Sequence, residues 1–436
     1  MLPYLSHPSL PVRRAALEGF EVADDDALRI VISLLNDPSA DISEAAERKI
    51  ENATYQNAQL LVESLTIPRR RVREGLFHLL ESLNIKNVDV FRATRFQLER
   101  AYRNLAEAEA LRRLPVSRER DLLVEHLEQK QRVRLENALR VLVTQDRSGQ
   151  MRTIWRGVSS ADDRQRSNSL EALDDLLDAS VSTIMMPLLE NLPPADCLSV
   201  GKKRFQLPSF DSNPSGIISH LLAKQNWITV VLTLYLVVHR GLDGLEAEQI
   251  RKLQASDNPH VRRQAKWVAN GQGRGLYEKE NPMETEISIP DKILHLRKIQ
   301  IFEGLSISEL AAVASVTEEV VYAPGQIVIK EGEAGDTMYL ILSGEVSVLK
   351  RQEGEETHEI ELDRIGAGDY FGEMALFEDM LRSATIRTEA ESQLLVLHKR
   401  EFTEIVREYP QIALHICKVL GARLRKLHEK VKQYEK

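Results

Sequence analysis

The sequence predicts two domains of different class. Residues 1–275 read as an all-α solenoid of helical repeats, and residues 291–436 as an α+β domain, a small antiparallel barrel or sandwich with flanking helices. Three observations predict this. Up to about residue 275 the chain is rich in leucine and arginine, with apolar residues at three- and four-residue spacing. A helix-opening pattern recurs there at a nearly constant interval. Beyond residue 291, short apolar stretches alternate with glycine turns, as strands of a compact β domain do. At 436 residues the chain is also too long for one compact core. Between the two parts lie Gly271-Gln-Gly-Arg-Gly275, Glu278-Lys-Glu-Asn-Pro282 and Pro290, so residues 276–290 read as a linker.

The repeat pattern is a turn with Pro or Asp, then an aliphatic residue, often an arginine, and a small residue a few positions on. It occurs around Val12-Arg13, Ile42, Val72-Arg73, Val133-Arg134, Gln165-Arg166 and Val261-Arg262. The intervals are 30, 30, 61, 32 and 96 residues, that is one, one, two, one and three units of 30 to 32. Such a unit supplies two helices that bury their apolar faces only against the next unit. The arginine is expected to tie a carboxylate in a turn. The set resembles a HEAT-repeat solenoid of the short type; the alternative is an irregular helical bundle. The stretch 191–225, with Pro193-Pro194, Pro208 and Pro214, breaks the rhythm and reads as an extended insertion. Leu2 to Leu5 look like the last turn of a preceding helix, which makes the first unit incomplete and the chain an expected piece of a longer one.

Composition narrows the function. Hydrophobic residues at 43% and charged residues at 28% exclude wholesale disorder. With 58 basic and 66 acidic side chains, the chain lacks the basic excess of a large nucleic-acid surface. Residues 291–436 hold 19 basic and 26 acidic residues, so an anion bound there must be held by local geometry. Two cysteines, Cys197 and Cys417, form no disulfide framework and fit a cytoplasmic location. The apolar run Trp227–Val238 is too short to cross a bilayer and reads as a core helix. The histidines show no metal-ligand spacing, and no catalytic signature occurs, so neither a metal nor an enzyme is expected.

In the second domain Ile293–Ile299 reads as a helix, and Ser306-Ile-Ser-Glu309 as a capping box before another. Strands follow on either side of Gly325, and two more hinge at Ser343-Gly344, with Arg351 to Glu359 a charged hairpin tip. The informative stretch is Phe371-Gly372-Glu373-Met374-Ala375-Leu376, followed by Arg382-Ser383-Ala384-Thr385. Gly372 lets backbone approach a ligand closely. Residues 374–376 can start a short helix whose free N–H groups point at an anion. Arg382 offers a planar fork for phosphate. Glu373 would repel phosphate, so it needs another purpose, such as accepting a ribose hydroxyl. Together these describe a cyclic sugar phosphate.

This run resembles the phosphate-binding cassette of cyclic nucleotide-binding domains, the β-roll or jelly-roll type of the catabolite activator and protein kinase A regulatory subunits, over the whole of 291–436. The resemblance implies that Glu373 bonds the ribose 2′-hydroxyl and Arg382 the exocyclic phosphate oxygens. It further implies that N–H groups near Met374, Ala375 and Ala384 complete the cradle beside Gly372, with Ser383 adding a hydroxyl. The ligand is cAMP or cGMP, with cAMP expected. The helix from Ile412 to Lys436 should close over the base and presents Arg425, Leu427 and His428 there. The chain ends about where that helix would end, so no following helix-turn-helix is expected. The reading is thus a cyclic-nucleotide sensor whose output surface is the solenoid, with a protein partner and a homodimer through the last helix among its expected contacts. The architecture is similar to the soluble tail of bacterial transporters of the nucleotide-carrier type, so membrane association through a missing N-terminal region is a further expectation. The rival readings are a scaffold whose sensor domain is inert and an enzyme resembling bilin lyases.

Overall fold

The computed structural model describes residues 2–67, 69–85, 88–146, 149–160, 162–190, 192–210, 214–240, 247–269, 287–352, 359–378 and 380–434, and beyond Ala422 the side chain of Arg425 alone. A mostly helical N-terminal region is followed by a β-sheet domain with flanking helices. The chain divides into two compact units, residues 1–113 with 127–210, and residues 114–126 with 211–436.

Helices in the first unit open where the repeat pattern places them. Val12, Ile42 and Val72 are each the third residue of a helix, in Leu10–Gly19, Ala40–Glu51 and Arg70–Ser82, and Gln165 is the third residue of Asp163–Leu176. Val261 holds the same place in Pro259–Ala269 of the second unit. Ile42 and Val72 are buried, so the recurring aliphatic residue is a core anchor. Val133 departs from the pattern. It lies in the middle of the 28-residue helix Arg118–Gln145 and is 48% exposed. No Gly or Pro interrupts that segment, so the helix runs through the register.

The arginine after the anchor has a different partner from the one expected. Arg13, Arg73 and Arg262 each donate to the carbonyl six residues back, of His7, Ile67 and Ser256, at 2.8, 3.2 and 2.6 Å. Only Arg13 among these three also grips a turn carboxylate, forking onto Asp37 at 2.9 Å through both Nε and a terminal nitrogen. Among its described residues the stretch 191–225 is not extended throughout. Pro194 opens the helix Pro194–Arg204 and Pro214 the helix Pro214–Leu222, because a first-turn proline lacks only an N–H that the helix does not use.

In the second unit, helix Trp227–Arg240 is buried from Ile228 to Val237, as a core helix should be. Among the described residues no helix is long and apolar enough to cross a membrane. Of the stretch 276–290, residues 276–286 lie outside the described residues, while Ser288 caps the helix Ile289–Leu296 by accepting from the Asp291 N–H. The capping box at Ser306 and Glu309 forms and opens the helix Ile307–Val316.

Eight strands follow: β1 (Glu318–Tyr322), β2 (Ile327–Ile329), β3 (Thr337–Ser343), β4 (Glu345–Arg351), β5 (Glu359–Gly366), β6 (Tyr370–Phe371), β7 (Thr385–Thr388) and β8 (Ser392–His398). They form two four-stranded antiparallel sheets, ordered β1-β8-β3-β6 and β2-β7-β4-β5. Ile329, Ile341, Val346, Phe371, Ile386 and Leu394, drawn from both sheets, form one buried cluster. The tip predicted at 351–359 falls mostly on residues 353–358, outside those described. Helices Lys399–Glu408 and Pro410–Tyr434 complete the domain.

Candidate functional site

The cassette lies between β6 and β7. After β6 the chain turns at Gly372, where φ is +76°, and makes the single helical turn Met374–Phe377. A side chain at Gly372 would be strained by that φ and would also place Cβ 2.8 Å from a terminal nitrogen of Arg382. Arg382 enters just ahead of β7. Its guanidinium donates to the Thr337 hydroxyl at 2.8 Å and to the Gly372 carbonyl at 3.3 Å. Burial lowers its pKa, partly offset by the nearby Tyr339 and Asp336. An arginine keeps its charge at neutral pH even so. The result is a half-buried cation held by neutral acceptors, a local positive charge within an acidic domain.

The other predicted residues differ in exposure and in their partners. Glu373 is half-buried, and its carboxylate makes no hydrogen bond among the described residues. Met374 is 53% exposed, whereas Ala375 is buried and its N–H already bonds the Gly372 carbonyl at 3.2 Å. The expectation that the Ala375 N–H faces a ligand therefore requires that turn bond to be shared or exchanged. Ala384 is half-buried and Ser383 exposed. Thr385 is buried and structural, its hydroxyl accepting from the Glu331 N–H at 3.1 Å. Of the expected base-side residues, Arg425 is exposed, and the side chains of Leu427 and His428 lie outside those described.

Sequence reasoning missed the frame around Arg382. Gly335 passes so close that a Cβ there would lie 2.3 Å from the Arg382 Nε and 2.6 Å from its Cζ. The Gly332 N–H bonds the Arg382 carbonyl at 2.9 Å, and the Arg382 N–H bonds the Glu333 carbonyl at 2.8 Å. This fixes the arginine backbone against the turn between β2 and β3. Lys350 on β4 bridges the Glu331 carboxylate at 2.8 Å and the Ser383 carbonyl at 2.7 Å. That hydrogen bond, more than any other influence, lowers the Glu331 carboxyl pKa. Nothing local to Gly332 and Gly335 marks this role, because the arginine they accommodate is distant in the chain.

The cassette also touches the closing helices. Phe377 meets Phe402 edge-on at 5.8 Å, joining the short turn to helix Lys399–Glu408. The Lys399 N–H bonds the Asp336 carbonyl at 2.7 Å, next to Gly335.

Comparison with known proteins agrees with this geometry. A family model described as cyclic nucleotide-binding domain matches residues 319–409. The C-terminal domain is a cyclic nucleotide-binding domain. Its relatives include a cAMP-dependent protein kinase regulatory subunit of Blastocladiella emersonii, 37% identical over 112 residues, which are 26% of this chain and 27% of that protein. A cGMP-dependent protein kinase of Caenorhabditis briggsae is 35% identical over 113 residues, 26% of this chain and 15% of its own length. The cyclic AMP receptor protein of Thermus thermophilus is 29% identical over 125 residues, 29% of this chain and 57% of its own length. The chain thus spans about a quarter or less of the two kinase proteins and just over half of the receptor. The likeness lies in the cyclic nucleotide-binding domain.

That domain is tied to helix Trp227–Arg240 within the second unit. The Tyr235 hydroxyl donates to the Asp291 carboxylate at 2.5 Å, and burial together with Asp291 pushes the phenol pKa far up. Asp291 also receives the Ser288 hydroxyl at 2.5 Å. Behind it, buried Lys292 pairs with Glu319 at 3.3 Å, and Glu319 accepts from the Ile287 N–H.

Proposed function

We propose that this chain is a cyclic-nucleotide sensor that binds cAMP in preference to cGMP and passes the binding event to its helical region. The observation that carries this reading is the Arg382 guanidinium, held ready between Gly335 and Gly372 beside an unengaged Glu373. Phosphate of the ligand takes the guanidinium and the N–H groups near Met374 and Ala384, and Glu373 takes the ribose hydroxyl. Relatives named for cAMP and for cGMP both occur, and two of the three cited carry cAMP in their names.

The contacts of the cassette support a route for the signal. A phosphate that draws the Met374–Phe377 turn inward moves Phe377 against Phe402 and shifts helix Lys399–Glu408. The helix Pro410–Tyr434 follows and covers the exposed Met374 and Leu381 as a lid. At the other end, the Tyr235–Asp291 bond carries the change to helix Trp227–Arg240. The helix pairs of the N-terminal region, in our reading HEAT-like, then present the output surface to a protein partner. A membrane transporter joined to this chain is the partner class we favour, and exposed Leu414 offers a contact for a second copy. In this reading the protein binds and signals rather than catalyses.

Calorimetric titration with cAMP and with cGMP tests the proposal. Losing one hydrogen bond to a charged group costs about 1.5–3 kcal/mol, so Arg382→Ala should weaken binding by roughly 10- to 150-fold. No heat with either nucleotide, from folded protein, would make the domain an inert scaffold.

A further inference from the structure

Two arginines of the first unit, Arg73 and Arg134, have no ion-pair partner among the described residues, and the charge of Arg73 acts on Arg134. Arg73, the fourth residue of helix Arg70–Ser82, is only 7% exposed. It spends one terminal nitrogen on the Ile67 carbonyl, and its Nε has no hydrogen-bond partner among the described residues. Arg13, at the same place in its own helix, shows what is missing. There the Nε and a terminal nitrogen fork onto Asp37, so the charge is neutralised. Beside Arg73 the nearby carboxylates serve other cations. Glu74 pairs with Arg140 at 2.9 Å, and Glu136 is exposed within the field of Arg140 and Arg70.

The second cation is Arg134 of helix Arg118–Gln145. It donates to the Gln97 side-chain carbonyl at 3.1 Å, and Gln97 in turn donates to the Leu65 carbonyl at 3.2 Å. Arg73 and Gln97 therefore anchor on carbonyls two residues apart in one turn, which brings the guanidinium groups near each other. Burial, then Arg73 and Arg100, push the Arg134 pKa down to about 9. Two more buried donors lack acceptors among the described residues. Thr94 Oγ1, fully buried, lies one helical turn before Gln97, and Asn137 Nδ2, at 4% exposure, belongs to the turn after Arg134.

Three buried donors, one buried cation and one partly buried cation, with Glu74 as the carboxylate acting on Arg73 but itself paired with Arg140, leave an electrostatic deficit. Burying an uncompensated charge is costly, and water cannot neutralise it. We propose that Arg73, Thr94, Gln97, Arg134 and Asn137 form a binding site for a small inorganic anion. Arg134 is only partly buried and provides the entry side.

Thermal unfolding of the full chain at fixed ionic strength, in gluconate, chloride and sulfate, tests this. Above its dissociation constant, each tenfold rise in the bound anion should raise Tm by roughly 3–6 °C. Chloride acting alone identifies a halide-sized site, and sulfate acting alone an oxyanion site. The increment should vanish in Arg134→Met and shrink in Thr94→Val, and a bromide-soaked crystal should show an anomalous peak within hydrogen-bond distance of the Arg73 Nε. Equal Tm in all three salts would overturn the proposal. So would an anion effect that survives both variants, or a Thr94→Val protein more stable than the parent in every salt, the behaviour of a hydroxyl that has no ligand.

Discussion

Replacing Gly335 by alanine isolates the frame that holds Arg382, the arginine proposed to bind phosphate. The added Cβ would fall 2.3 Å from the Arg382 Nε, 2.5 Å from a terminal nitrogen and 2.6 Å from Cζ, well inside van der Waals contact. Gly335 has no left-handed φ, so alanine brings no backbone strain there. What it meets is the far end of a flexible side chain, which yields by swinging away. The swing abandons the 2.8 Å bond to Thr337 and the 3.3 Å bond to Gly372, and moves the fork from where the phosphate needs it. Stability should therefore change by less than about 1 kcal/mol, because both bonds are to neutral, water-accessible partners. Affinity should fall further, by the loss of a charged hydrogen bond worth about 1.5–3 kcal/mol, or roughly 10- to 150-fold. Calorimetry with cAMP on Gly335→Ala, and on Gly216→Ala where a Cβ meets nothing within 4 Å, checks this. Parent-like affinity in Gly335→Ala would refute the claim that its lack of a side chain positions Arg382.

Other outcomes follow from the same contacts. Lys292→Met strands Glu319 in a site where the two side chains are 5% and 14% exposed, and should destabilise the second unit by about 3 kcal/mol, the low end for a broken buried pair because the Ile287 N–H remains, as read by urea unfolding. Tyr235→Phe removes a hydrogen bond to Asp291 and should cost about 1–2 kcal/mol while leaving cAMP affinity unchanged, with transmission to helix Trp227–Arg240 reduced in hydrogen exchange. His78 is hydrogen-bonded to Glu47, which raises its pKa above the ordinary value. Its stabilising contribution is complete below pH of about 6.5 and is lost as pH rises through the folded-state pKa. His78→Gln should remove that slope, a change well under about 1 kcal/mol for so exposed a pair, in melting curves from pH 6 to 9.

Much of this architecture is legible in the sequence because its signals are local. The period of the anchors Val12, Ile42 and Val72 is set by one turn and one helix pair, so it survives without tertiary information. The register at Val133 fails because nothing between Arg118 and Gln145 stops a helix, and an unbroken helix overrides the repeat. Pro194 and Pro214 misled in the opposite direction, since a proline closes a helix from inside but opens one at its first turn. At the site, the run Phe371 to Thr385 carries in one short segment the chemistry proposed to face the ligand. The residues that hold Arg382 in place, Gly335, Thr337 and Lys350, belong to other strands and turns, and only folding brings them to it. The carboxylate expected beside the repeat arginine is there for Arg13, but for Arg73 and Arg262 the partner is an upstream carbonyl, which needs no particular side chain and leaves no mark in the sequence.

Hydrogen exchange of the full chain with and without saturating cAMP tests the central claim most directly. The account predicts slowed exchange at the amides of 372–376 and 382–385, accompanied by a change in the helix Pro410–Tyr434, all absent in Arg382→Ala. Unchanged exchange at 372–385, or protection that persists in Arg382→Ala, would contradict it.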